Sequence, residues 1–257
     1  MAMPVQWHPE STATMPAPGA VLISCFPSGG LAPTVAGHYI LQTLKLPRIG
    51  ALTSDDFPSL AVIQGGRVNP PVRAYANKDL ILILSEFPLP PTLLNPLATA
   101  ILGVAEQLKV SRILGLEGVV PHPLDTEDSE AVPTEELVWY AGSGSSASLP
   151  PDIKAAGVRG MGDGVIGGVS GALLIQGIES KLPIGTLLVS ATDAGYPDHR
   201  AAAKLIEVID QLLPHVQIDT KPLRTQAELI ERALRAAVKS RPPAPTGTPP
   251  ENLPIYQ

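Results

Sequence analysis

The sequence predicts an α/β fold, a three-layer sandwich in which helices cover both faces of a mostly parallel central sheet. Three observations predict it. Short continuous apolar runs at 20–25 (AVLISC), 79–85 (DLILILS) and 186–192 (TLLVSAT) have the length and composition of strands buried on both faces. A stretch with helical apolar spacing follows each of them, and a length of 257 residues suits one large domain with a sizeable core.

The first eighteen residues carry His8, Glu10 and prolines at 4, 9, 16 and 18. They lack the basic start and apolar middle of a signal peptide and read as a flexible arm, residues 1–18, ahead of a single domain at 19–240. The run 20–25 is the first central strand. Phe26-Pro27-Ser28-Gly29-Gly30 makes a turn, and 33–44 a helix with Pro33 in its first turn. Three strand-like pieces follow at 48–53, 60–64 and 72–76, punctuated by Asp55-Asp56, Gly65-Gly66 and Asn69-Pro70-Pro71, which suggests hairpins at a sheet edge. The most apolar run, 79–85, belongs at the sheet's centre. With a helix at 92–109 and a strand at 112–116 it makes a right-handed βαβ crossover. Residues 124–136 carry Asp125, Glu127, Asp128, Glu130, Glu135 and Glu136 without apolar period and read as an acidic surface loop.

A strand at 137–141 resumes the core, and 142–146 (GSGSS) reads as a mobile loop. The glycine-rich stretch 160–168 precedes a helix at 169–179. After the strand 186–192 comes an amphipathic helix at 199–213, with Ala202, Leu205, Ile206 and Ile209 on one face. A last helix, 225–238, turns Leu229, Ile230, Leu234 and Val238 inward. From 241 to 257 prolines recur too often for helix or sheet, leaving a stiff, solvated tail that ends in Ile255-Tyr256-Gln257. Run out as polyproline II at about 3.1 Å per residue, it reaches on the order of 50 Å from the body. An apolar residue, a tyrosine and a carboxylate on such a spacer form a probe for a pocket in another protein.

Charged residues make up only 16% of the chain against roughly 25% in ordinary soluble proteins, which hints at self-association. A net charge of −6 with no Lys/Arg cluster argues against nucleic acid or an anionic membrane as partner. No apolar run is long enough to span a bilayer. Cys25 is the only cysteine, so no intrachain disulfide is possible and a cytoplasmic setting is expected.

Chemistry-bearing residues are few. Asp193, Asp198 and His199 follow one strand end, Glu117 and His122 another, and ends of parallel strands share one rim. A hydrolytic or phosphorolytic site of the nucleoside phosphorylase or hydrolase kind is therefore the alternative function, with Asp198 as a plain helix cap the simpler account. His38 and His215 read as surface or packed histidines. Gly162, Gly164 and Gly167 match the G-x-G-x-x-G spacing of a phosphate loop, but Asp163 sits where the anion would lie. No metal-ligand spacing occurs, and Cys25 reads as a small buried apolar residue.

The order of these features resembles the PAC2 family of proteasome assembly chaperones and their archaeal relatives. The residues that carry the likeness are 20–44, Ile49-Gly50, Pro70-Pro71, 80–86 and 113–118. The later part adds Gly164-Val165-Ile166-Gly167-Gly168-Val169-Ser170-Gly171-Ala172-Leu173-Leu174, Thr186-Leu187-Leu188-Val189 and Tyr196-Pro197-Asp198. The resemblance spans about 19–238. It implies a phosphorylase/hydrolase-like fold without catalytic residues, cofactor or metal, and it makes the glycine-rich stretch a packing feature. It further implies binding to 20S proteasome α subunits, self-association as a tetramer or pentamer, and pairing with a paralogous chaperone. Some archaeal members resemble proteasome activators in ending with a hydrophobic residue, a tyrosine and any residue. On that pattern Ile255, Tyr256 and Gln257 are the docking residues, the terminal carboxylate meets a pocket lysine, and the tyrosine bears on the turn that controls the gate.

Overall fold

The computed structural model describes residues 5–120, 137–144, 147–192, 196–213 and 216–239. Its frame is a nine-stranded sheet in the order β1-β3-β6-β7-β2-β8-β11-β9-β10. The strands are β1 Gln6–Pro9, β2 Val21–Cys25, β3 Arg48–Thr53, β6 Val72–Ala76, β7 Leu80–Leu84, β8 Arg112–Val119, β9 Val138–Ser143, β10 Arg159–Gly160 and β11 Ile184–Ser190. A separate hairpin pairs β4 Val62–Gln64 with β5 Arg67–Asn69.

The four central strands, β7, β2, β8 and β11, are parallel, and antiparallel pairings begin on either side, at β6 and β9. Every residue of β2 and β7 is buried, as an unbroken apolar run demands when both faces are covered. One face, through Ile23, Leu82, Leu116 and Leu187, packs α1 Ala32–Thr43, α5 His199–Leu212 and α6 Lys221–Lys239. The other, through Leu22, Ile81, Ile83 and Ile113, packs α2 Pro91–Gln107 and α4 Gly168–Gln176. A short helix, α3 Pro151–Ala155, sets Ile153 into the first core. These are the three layers expected.

Helix ends follow standard chemistry at α1 and α2. Lys45 and Lys109 take left-handed backbone just past them, and Leu46 N–H and Val110 N–H reach back to the carbonyls of Leu41 and Ala105. The chain then passes directly into β3 and β8, so each left-handed residue marks a clean helix stop.

Several expectations need correction. The N-terminal arm is not uniformly loose: Gln6–Pro9 forms an edge strand on β3. The reason lies across the pair, where Gly50 has no side chain and the Trp7 ring fills the space a Cβ would occupy. Gly142 and Ser143, assigned to a mobile loop, extend β9 and pair with Gly185 and Ile184. Leu229 does not point inward; it is 59% exposed, because the buried stripe of α6 runs through Leu223 and Ala227 at i, i+4 and Leu229 falls off it. The acidic segment 124–136 and the tail lie outside the described residues.

Candidate functional site

The parallel strands end at one rim, and the turn after β2 is fastened across it. The Ser28 hydroxyl accepts from Gly118 N–H at 2.9 Å, and Gly30 C=O accepts from Asp198 N–H at 2.7 Å. Gly29 and Gly118 touch backbone to backbone, so closely that a Cβ on Gly118 would sit 1.9 Å from the Gly29 oxygen. Both positions must be glycine for the turn to seat.

Glu117, half-buried at the end of β8, lies beneath this turn. Burial pushes its carboxyl up to about 7 from an ordinary 4.5, while hydrogen bonds from the Ser170 and Ser28 hydroxyls pull the other way. It therefore ties the turn after β2 and the first turn of α4 to one strand end.

Asp198 shares the rim but is fully occupied. One carboxylate oxygen caps α5 by accepting from Arg200 N–H at 3.1 Å and Ala201 N–H at 3.0 Å. The other accepts from Thr192 N–H at 2.8 Å and the Thr192 hydroxyl at 3.0 Å. Four donors leave no lone pair aimed at a substrate. Asp198→Ala should cost about 1–2 kcal/mol in a urea melt, the upper half of the range for a lost helix cap; an unchanged midpoint would contradict the assignment. His199 turns its Nδ1 to Pro197 C=O at 2.9 Å rather than to an acid. Cys25 is wholly buried against Gly37, and burial raises its thiol pKa, so it holds no thiolate. His122, Asp193 and His215 lie outside the described residues. The described members of the rim cluster thus share an edge without forming a nucleophile-base pair.

The glycine-rich stretch divides. Gly171 is needed for packing, since a Cβ there would meet the Ile166 carbonyl at 2.3 Å. At Gly160, Gly162 and Gly167 a Cβ would meet nothing within 4 Å, so packing within the chain does not explain them. Among the described residues no cluster could hold a metal, and no helix is long and apolar enough to cross a membrane.

Sequence reasoning missed the strongest polar network. Arg73 on β6 has no exposed surface, yet all three of its side-chain nitrogens are engaged: Nε to the Tyr75 hydroxyl at 3.0 Å, one terminal nitrogen to Pro70 C=O at 3.1 Å and Pro71 C=O at 3.4 Å, the other to Glu86. His38 Nε2 lies 2.9 Å from the same Glu86 oxygen. Burial raises the Glu86 carboxyl, but the His38 and Arg73 hydrogen bonds and charges outweigh it and hold it down at about 2. The only sequence clue was Tyr75 two residues after Arg73, on the same strand face.

The tail residues Ile255, Tyr256 and Gln257 fall outside the described residues, but the helix before them is placed. Ile218 N–H meets Asp210, then Thr220 and Arg224 both meet Glu207, at 2.8, 3.2 and 2.7 Å. These contacts lay the start of α6 beside the second half of α5.

Comparison with known proteins fits this architecture. A model of the PAC2 family matches residues 22–238. An uncharacterised protein of Methanocaldococcus jannaschii is 31% identical over 216 residues, 84% of each chain. Pyrococcus furiosus PbaA, described as an archaeal homolog of proteasome-assembly chaperone, is 27% identical with a TM-score of 0.77 over 92% of each chain. P. furiosus PbaB, described as an archaeal proteasome activator, shares the fold at 20% identity and a TM-score of 0.73, over 91% of this chain and 99% of its own.

Proposed function

This chain belongs to the PAC2 family, and from that premise we propose that it is a proteasome assembly chaperone or ATP-independent activator that binds the α ring of the 20S proteasome. Ile255, Tyr256 and Gln257 are its docking residues, and residues 241–257 are the spacer that presents them from the domain at 19–240. The observation that carries this reading is the ending Ile255-Tyr256-Gln257 after a proline-rich segment, in a chain whose residues 22–238 match the family model. It is supported by the likeness to PbaA over nearly the whole chain.

The protein is not an enzyme on this reading. The saturated Asp198 carboxylate and the wholly buried Cys25 support that. It works in the cytoplasm as a homo-oligomer, a tetramer or pentamer, alone or with a paralogous chaperone. Several copies matter physically: one three-residue contact is weak, and tethering several raises the effective concentration by orders of magnitude.

The test is co-migration with 20S core particles in a native gel. Removing Ile255 to Gln257, or replacing Tyr256 by alanine, should abolish co-migration while the oligomer mass and melting temperature stay unchanged. Undiminished binding by either variant refutes tail docking.

A further inference from the structure

β10 ends the sheet, so among the described residues one of its edges faces no other strand. Its pairing with β9 decides which backbone groups lie on that edge. Met161 N–H donates inward to Tyr140 C=O at 2.8 Å, and adjacent residues of a strand turn their backbone groups to opposite sides. Gly160 therefore turns its N–H and C=O outward, as an extended Gly162 does. Both glycines are exposed, and a Cβ on either would meet no atom of the chain within 4 Å. Glycine in a strand with that much room marks a place where another backbone approaches closely.

The flanking charges say which backbone. Arg159-Gly160-Met161-Gly162-Asp163 carries a cation at one end, an anion at the other and glycines between, and both charged residues are exposed. When a second copy is laid antiparallel about Met161, the outward groups of Gly160 fall opposite those of the second copy's Gly162, and the reverse, which is the hydrogen-bonded type of antiparallel pair. Arg159 then meets the second copy's Asp163 at both ends, in the non-hydrogen-bonded type, where side chains lie closest. A slip of one residue breaks both charge pairs and sets outward backbone groups against inward ones. Charge and backbone thus select the same register.

We infer that residues 159–163 join two copies of this chain by antiparallel β pairing, which continues the sheet across a two-fold axis at Met161. The inference rests on the homo-oligomer of the proposed function and names one of its interfaces. An axis perpendicular to the sheet keeps both α4 helices on one face. The groove of about 370 Å³ beside this edge, lined by Met161, Leu174 and Ile175 among others, then becomes half of a shared trough. Val165, 96% exposed on the loop from this edge to α4, stands beside the same seam. Such a contact is isologous, so it builds dimers and tetramers but not a five-membered ring.

Reversing the two charges one at a time tests it. In Arg159→Asp two like-charge pairs face each other across the seam, and the same holds for Asp163→Arg. Each variant alone should therefore lose mass at a concentration about a hundredfold higher than the parent, read by light scattering over a dilution series. Both sites are exposed, so the far-UV circular dichroism spectrum should stay parental. Mixed in equal amounts, the two variants set opposite charges at both ends of the seam, and the parental mass should return. A mixture that stays dissociated overturns the inference. So do single variants of parental mass, which leave the homo-oligomer to another surface. A parent that is monomeric at every concentration refutes the homo-oligomer itself, and this interface with it.

Discussion

Arg73→Met is expected to lower the stability of the domain by about 3–5 kcal/mol, because it leaves Glu86 short of its buried counter-charge and strips the Pro70, Pro71 and Tyr75 acceptors of their donor. The guanidinium has no exposed surface, so water cannot replace it. For a chain of this length, each kcal/mol moves the melting temperature by about 2–4 °C, so a drop on the order of 10 °C should be seen by calorimetry. Adding Glu86→Gln should restore part of the loss, since the carboxylate left behind carries most of the penalty. The Tyr75 hydroxyl also holds Gln64 of the β4–β5 hairpin, so limited proteolysis should cut the Arg73→Met chain there first. A variant that melts with the parent would show that the network is not what holds β6 to the rim of β7.

The second large effect is a pH dependence centred on Glu117. Its carboxyl titrates near 4.5 when unfolded and at about 7 when folded. Between those values the folded chain keeps a proton that the unfolded chain has released, so stability falls as pH rises through the window, by about 3 kcal/mol in all. Glu86 acts in the opposite sense: its folded value of about 2 makes its contribution complete above 4.5 and lost as pH falls toward 2. Together they place the greatest stability on the acid side of neutrality. Glu117→Gln, which keeps an oxygen for the Ser28 and Ser170 hydroxyls, should flatten the neutral limb and be more stable than the parent at pH 8. Urea midpoints of parent and variant that decline in parallel from pH 5 to 8 would refute the assignment.

Much of the fold was legible because its strongest signals are local. Runs such as Leu80 to Leu84 and Val21 to Cys25 are too short for helices and too apolar for any exposed strand, and helix starts such as Asp198 carry their caps in the sequence. What was not legible depends on distant partners. Gln6–Pro9 pairs only because Gly50 leaves room for Trp7, and β10 is two residues long with no pattern to betray it. The burial of Arg73 had no local signal, since its counter-charge, Glu86, comes from the turn after β7 and that carboxylate's second partner, His38, from α1. At the rim, sequence placed Asp198 and Glu117 on one edge but could not show that Asp198 is occupied by three backbone donors and the Thr192 hydroxyl or that Glu117 is pressed beneath a turn.

The place of β2 in the sheet also bears on how the chain reaches its folded state. Val21 pairs with Leu80 on one side and with Arg112 on the other. During synthesis the first core strand therefore emerges with both backbone edges bare, and it stays so until its two neighbours have left the ribosome. Non-local pairing of this kind is slow and leaves sticky intermediates. A protein proposed to assist the assembly of other chains would itself pass through a long interval in which its most apolar strands need protection.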